Sequence, residues 1–146
     1  MEDKPLSREL FDEIYSKVPR LCVDLIIKNN DGILLTKRAI SPYFGEWHFP
    51  GGTVFFKETI EQAAKRIAKR ELGVDIKLET QLGYMEFTEE DSGRKHSVLI
   101  VFLANISRGE ITLNEESSAF LFTKTVPEKT VAHHKDFFNQ KLTLLV

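Results

Sequence analysis

The segment from residue 50 to residue 74 constrains the fold more than any other part of the chain. It opens with a Pro-Gly-Gly turn at 50–52 and continues into a stretch with strong helix signals. Thr59 and Gln62 are spaced as a capping box, an apolar stripe of helical period follows, and Gly73 stands where helices commonly end. The pattern predicts a glycine-rich loop followed by a helix over residues 59–72.

Short strands and two further helical segments are predicted around this unit. Apolar residues at helical spacing predict a helix that begins after Ser7 and ends just before Pro19, and weaker helical character covers 128–142. An Asp-Gly hairpin signal joins two apolar runs, and residues 41–53 are predicted to form a loop. The predicted strands are 21–27, 33–35, 81–87, 96–106 and 119–123, with a turn at 91–93 between the third and the fourth. This mixture indicates a layered α/β or α+β fold.

Length and composition place these elements in one domain, 1–146, because 146 residues suffice for one core and no linker or repeat divides them. The net charge of -2 lacks the positive surplus of a general nucleic-acid binder. Cys22 is the single cysteine, so we expect a buried thiol in a reducing, cytoplasmic setting. No window approaches the roughly 20 apolar residues that span a membrane.

The glycine loop and the helix together suggest a site for a phosphate and a metal ion. Glycines let the backbone approach a ligand closely. A loop carbonyl beside a helical carboxylate supplies two hard oxygen donors, which suit a cation such as Mg²⁺.

Six residues of this segment stand at the spacing of the Nudix box, G-x5-E-x7-R-E-U-x-E-E-x-G-U. They are Gly52, Glu58, Arg66, Glu71, Gly73 and Val74. Through them, and through Lys37 and Arg38 after an apolar strand, the chain resembles the Nudix hydrolases. The resemblance implies hydrolase activity and an α/β/α sandwich with a mixed sheet, the box occupying 52–74.

Two carboxylates of the box are absent, since Ile67 and Arg70 stand where Glu is usual. Positions 67, 70 and 71 share one helix face because they are three and four residues apart. This face therefore keeps only Glu71, and the fixed positive charge of Arg70 beside it disfavours further cations. We infer at most one metal ion.

The shortened box resembles that of the GDP-mannose mannosyl hydrolases, which also carry an apolar residue at the position of Ile67 and use one Mg²⁺. The resemblance implies that Mg²⁺, or Mn²⁺ in its place, binds to Gly52, Glu71 and Glu116. It also implies a nucleotide-sugar substrate, attack of water on the anomeric carbon, release of a nucleoside diphosphate and free sugar, and dimers formed partly through residues 5–18.

The same resemblance assigns substrate contacts outside the box. It makes Arg38 a diphosphate ligand that stabilises the leaving group, and it places Asp24 in the substrate site. Trp47 is a candidate for stacking on the base. Each has a structural alternative: a buried structural carboxylate for Asp24, an exposed strand-end cation for Arg38, and a loop wall for Trp47.

The general base is not carried over, because Glu116 and Ser117 stand where that branch has Gln and His. An unactivated serine hydroxyl is no base near neutral pH. The Arg that follows the glycine pair in that branch is Thr53 here. The remaining candidate bases are His96, His133 and His134. We favour His96, which precedes a predicted strand, although a purely structural histidine is the alternative.

Two other functions stay open on the sequence. An ordinary pyrophosphatase would cut the P-O-P bridge of a nucleotide sugar and yield a nucleoside monophosphate and a sugar phosphate. A nucleotide-sensing module would bind its ligand without turnover, in keeping with the missing base and carboxylates. The products distinguish these functions from sugar release.

Overall fold

The computed structural model describes residues 5–88 and 96–146, and it shows a seven-stranded mixed sheet with helices on both faces. The predicted turn at 91–93 lies outside the described residues. The elements in chain order are α1 (Arg8–Tyr15), β1 (Arg20–Asn29), β2 (Gly32–Arg38), β3 (Trp47–His48), β4 (Gly51–Thr53), α2 (Ile60–Leu72), β5 (Asp75–Phe87), β6 (Ser97–Arg108), β7 (Ser117–Thr123) and α3 (Ala132–Phe137), which continues into a π-helical segment (Phe138–Leu142).

Strand β1 is the centre of the sheet. It pairs in parallel with β6 on one side and antiparallel with the short β4 on the other, where Asp24 lies opposite Gly51. β6 continues antiparallel to β5, whereas β2 follows β1 through a hairpin and pairs with β3 and β7. This register brings Asp24 directly beside the glycine loop.

Helix α2 has the ends that the sequence predicts. The Thr59 hydroxyl accepts a hydrogen bond from the Gln62 N–H at 3.1 Å, and the Gln62 side chain accepts one from the Thr59 N–H at 2.9 Å. Gly73 closes the helix with a φ of 67°, a left-handed conformation that glycine adopts without strain. The prediction of a capped helix over 59–72 is confirmed.

Two apolar cores lie on opposite faces of the sheet. One joins the buried face of α2 to alternate residues of β1, including Val23 and Leu25. The other joins Cys22 and Ile26, on the opposite face of β1, to Phe137 and the π-helical segment. The α/β/α sandwich and the buried thiol of Cys22 are thus confirmed. In the described part of the chain, no helix is long and apolar enough to cross a membrane.

The structure corrects several predicted boundaries. Helix α1 begins after its Ser7 cap but ends at Tyr15, because Ser16 bonds back to the Glu13 carbonyl and Val18 precedes a proline, which disfavours helical geometry. Strand β5 begins six residues before the predicted residue 81. Residues 41–53 are not all loop, since they contain β3 and β4, which are stabilised by pairing with distant strands and not by local propensity.

Candidate active site

A nearly buried ion pair fixes the loop between the glycines and helix α2. Arg66 donates to both carboxylate oxygens of Glu58, at 2.7 and 3.0 Å, and to the Thr53 carbonyl at 2.8 Å. The Phe55 N–H donates to Glu58 at 2.9 Å. Burial alone would raise the pKa of Glu58, but the hydrogen bonds from Arg66 and Phe55 outweigh it and lower this pKa. These box residues therefore hold the loop against the helix.

The carboxylate of Glu71 lies at the other end of this loop. Its Oε2 accepts a hydrogen bond from the Gly51 N–H at 3.2 Å. Burial, followed by the negative charge of Glu116, raises the pKa of Glu71 to about 8, although Arg70 and the Gly51 hydrogen bond act in the opposite direction. A positive ligand would stabilise the ionised form of this buried carboxyl group.

Asp24 approaches the same loop from β1. A Cβ atom on Gly51 would lie 1.8 Å from Oδ1 of Asp24, so only glycine leaves room for this carboxylate. Burial and the nearby charge of Glu71 raise the pKa of Asp24 well above its ordinary value, although Arg20 opposes them. Asp24 and Glu71 therefore contact the same glycine and form one buried acidic region.

His134 of α3 contacts this region from the opposite face of the molecule. Its Nδ1 accepts a hydrogen bond from the Phe49 N–H at 3.0 Å, so the ring proton belongs on Nε2, which lies 3.5 Å from Oδ2 of Asp24. Burial, with the nearby charges of His133 and His48, lowers its pKa well below the usual value. A neutral ring whose Nδ1 already accepts a hydrogen bond lies beside Asp24 and is not suited to accepting a proton from water.

Arg70 and Glu116 form the second ion pair of the region. Arg70 Nη2 lies 2.6 Å from Glu116 Oε1, and the two side chains are only 21% and 18% exposed. The sequence places Arg70 beside Glu71 but gives no sign of this contact, because 46 residues separate the partners. A positive side chain from the box thus neutralises a predicted metal ligand.

The guanidinium of Arg38 interacts electrostatically with Glu71 and Glu116. Burial lowers its pKa, whereas the charges of Glu71 and Glu116 raise it. Its Nε donates to the Pro42 carbonyl, which fixes the plane of the guanidinium. The structure thus brings together four of the sequence-predicted site residues, namely Asp24, Arg38, Glu71 and Glu116.

Two other predicted site residues lie elsewhere. The His96 carbonyl accepts a hydrogen bond from the Arg20 N–H, and its ring lies 3.8 Å from Glu86. Arg20 is four residues from Asp24 on β1, so His96 is roughly 13 Å along the sheet from the acidic region. Trp47, on β3, is half-buried and packs against the apolar core that contains Phe137 of α3. The Lys37 ammonium lies 6.0 Å from the centroid of its ring.

Arg20 is a site neighbour that the sequence reasoning missed. Its Nη1 donates to the Thr53 hydroxyl at 3.0 Å, so a guanidinium lies beside position 53 although it comes from another strand. The available signal was period-two spacing, which places Arg20, Cys22 and Asp24 on one face of β1.

The donor set for a metal ion is small. In 5–88 and 96–146, no three His, Cys, Asp or Glu side chains are arranged as a ready-made metal site. The carboxylates of Glu71 and Glu116 and the backbone of the glycine loop still supply hard oxygen donors. A cation here would complete its coordination with water or substrate oxygens.

Comparison with known proteins assigns this fold and site to a class. The family model for the NUDIX domain matches residues 18–142, so the chain belongs to the NUDIX family and is a Nudix hydrolase. The chain is 39% identical to the low-salt glycan biosynthesis protein Agl8 of Haloferax volcanii, over 79% of this chain and 74% of that protein. It is 33% identical to an ADP-ribose pyrophosphatase of Methanocaldococcus jannaschii, over 80% and 70% of the respective lengths.

A solved structure supports the same assignment. A MutT NUDIX hydrolase from Burkholderia pseudomallei aligns with a TM-score of 0.77 and 28% identity, over 85% of this chain and 98% of that one. Members of the family generally use divalent cations and act on nucleoside diphosphate compounds such as ADP-ribose. The resemblance inferred from the box is therefore confirmed at the level of the family.

Proposed function

We propose that this Nudix hydrolase is Mg²⁺-dependent and cleaves a nucleotide sugar to a nucleoside diphosphate and free sugar, with GDP-mannose the first substrate to test. One observation carries the proposal: Glu71 is the one acidic residue of the box on α2, and it faces the glycine loop. Ile67 is 2% exposed in the core, and Arg70 is paired with Glu116. The 39% identity to a glycan biosynthesis protein supports a sugar-linked substrate.

The metal ion in this proposal is held by the Gly52 carbonyl, Glu71 and Glu116, and Mn²⁺ satisfies the same oxygen donors. Glu71 is buried, and the negative charge of Glu116 acts on it. A divalent cation between the two carboxylates would reduce their repulsion. When bound, the cation supplies positive charge that polarises the diphosphate.

Arg38 has the clearest role among the protein side chains. Its guanidinium is held in place at Nε, which leaves the Nη nitrogens to donate hydrogen bonds to phosphate oxygens. Negative charge grows on the diphosphate as the bond to the sugar breaks, so this contact strengthens in the transition state. Arg38 thereby makes the diphosphate a better leaving group.

Attack of water on the anomeric carbon requires less activation by a general base than attack on phosphorus does. An oxocarbenium-like transition state is already electron-poor, so a weakly activated water suffices. In this proposal Asp24 binds sugar hydroxyls, and Trp47 stacks on a base that reaches β3. His96 stays our candidate base, which requires the sugar to extend along β1 towards Arg20.

Hydrolysis of nucleotide sugars in ¹⁸O-labelled water tests the proposal. Label in the released sugar supports attack at carbon, with Glu71→Gln reducing the yield and the exposed Glu61→Gln serving as a control on the same helix. Label in a phosphate product refutes it. Tight nucleotide binding without any Mg²⁺-dependent product identifies a sensing module instead.

One observation favours a second candidate, a pyrophosphatase acting on ADP-ribose or an NDP-sugar. The relative from Methanocaldococcus jannaschii bears that activity in its name. The same labelling experiment separates the two, because a pyrophosphatase releases a nucleoside monophosphate and places the label on phosphorus.

We further propose a homodimer formed partly through residues 5–18. Helix α1 buries no residue against the rest of the described chain, and Leu10 on the helix and Val18 in the segment after it are both more than two-fifths exposed. Light scattering on the wild type and on Leu10→Glu tests this proposal. A wild-type monomer at micromolar concentration contradicts it.

A further inference from the structure

Glu116 is contacted by one positive group and is assigned to a second. It is a metal ligand in the proposed function, on which this inference rests, yet its Oε1 lies 2.6 Å from Arg70 Nη2. At that distance no cation fits between Oε1 and the guanidinium, since a metal ligand needs its oxygen about 2.1 Å from the ion. A cation that takes Oε1, or both oxygens, must displace Arg70, and a cation on Oε2 alone must share the carboxylate with the guanidinium charge.

We propose that Arg70 is a built-in competitor for Glu116, so that a divalent cation binds to this carboxylate against the charge of the guanidinium and takes Oε1 only by displacing it. Arg70 thereby sets the metal affinity of the free protein.

The position of Arg70 on its helix supports this proposal. It directly precedes Glu71 in the last turn of α2, so the guanidinium begins its reach next to the other metal-binding carboxylate. Both side chains of the pair are about four-fifths buried, where water screens the attraction less than at the surface. A cation arriving at Glu71 therefore meets a competing positive charge already attached to Glu116.

The backbone at Glu116 is held independently of this ion pair. The Glu116 N–H donates to the Asn114 side chain at 3.0 Å, and its carbonyl accepts from the Ala39 N–H at 2.8 Å. Displacement of Arg70 therefore requires side-chain rotation and leaves the loop in place. The exchange is a local event at the carboxylate.

Titration of Mn²⁺ followed by electron paramagnetic resonance, and of Mg²⁺ by calorimetry, tests the proposal without any turnover. Arg70→Gln removes the competitor, and we expect it to tighten Mn²⁺ binding about tenfold or more. Lys69→Gln is the matched control, because it removes the same charge from the adjacent position of α2, where the lysine is exposed and faces Asp75. It should change the affinity less than threefold.

A double variant distinguishes direct competition from general charge removal. In a Glu116→Gln background Arg70 has no carboxylate at position 116 to compete for, so adding Arg70→Gln should tighten Mn²⁺ binding much less than it does in the wild type, and equal tightening in both backgrounds overturns the competition. Arg70→Lys keeps the charge but loses the guanidinium fork, and its affinity should lie between those of the wild type and Arg70→Gln.

The outcomes separate this inference from the proposed function. Loss of metal binding in Glu71→Gln, together with equal affinities of the wild type and Arg70→Gln, overturns the competition and leaves the proposed metal site standing. Equal tightening in Arg70→Gln and Lys69→Gln also overturns it. Absence of divalent binding to every variant overturns both.

Discussion

Nε2 of His134 lies 3.5 Å from Oδ2 of Asp24, which links the C-terminal helix to the middle of the central strand. Oδ2 is buried and has no hydrogen-bond partner among the described residues, so the two atoms lie close together without a hydrogen bond. The opposite side of the ring is held by the Phe49 N–H. The imidazole thus packs beside the carboxyl group of a residue that belongs to the proposed substrate site.

Replacement of His134 should impair both stability and turnover. His134→Leu leaves the Phe49 N–H buried without an acceptor, which should cost about 2 kcal/mol of unfolding free energy. His134→Gln can retain that acceptor and should cost less. Urea denaturation measures the first effect and steady-state kinetics the second, with His133→Gln on the same helix as the control. Full turnover in His134→Leu would show that the imidazole does not contribute to activity.

Gly51 and Gly52 should respond very differently to alanine. In Gly51→Ala the new Cβ would lie 1.8 Å from Asp24 Oδ1 and 2.7 Å from the Val23 carbonyl oxygen. We therefore expect the free energy of unfolding to fall by about 2 kcal/mol and little activity to remain. In Gly52→Ala the nearest atoms belong to Ile67 at 3.4 Å, and the protein should keep most of its stability. Thermal unfolding of the two variants checks this contrast. Equal melting temperatures would contradict it.

Arg38→Gln should lower kcat more than it weakens substrate binding. The contact is strongest when charge has moved onto the diphosphate, and loss of one such donor typically costs about a hundredfold in kcat. Kinetics on an active nucleotide sugar, with the exposed Lys65→Gln as control, measure the effect. An unchanged kcat would place Arg38 outside the mechanism.

The ion pair of Glu58 and Arg66 should make the free energy of unfolding decrease as the pH falls into the acid range. The pKa of Glu58 is lowered in the folded protein, so its contribution is present above the ordinary value near 4.5 and is lost as pH falls through the folded pKa. Glu58→Gln leaves Arg66 without its partner and should cost about 3 kcal/mol at pH 7. Urea denaturation between pH 7 and pH 3 should show this difference shrinking with acidification. A difference that is constant over that range would contradict the assignment.

Local chemistry in the sequence sufficed for much of the fold. Helix α2 was predictable because its capping box, apolar stripe and terminal Gly73 all act within a few residues of one another. The hairpin at Gly32 follows from the same short-range logic. The family and the six matching box residues were also readable directly from spacing along one helix and its loop.

The tertiary structure decided what those residues contact. Strands β3 and β4 exist because β2 and β1 lie beside them, and no local propensity in a Pro and Gly segment specifies that pairing. Arg70 reaches Glu116, and His134 reaches Asp24, across 46 and 110 positions of sequence. Such contacts form only when burial of the two apolar cores brings distant elements together. The charged groups could therefore be identified from the sequence, but their partners were determined only by the folded chain.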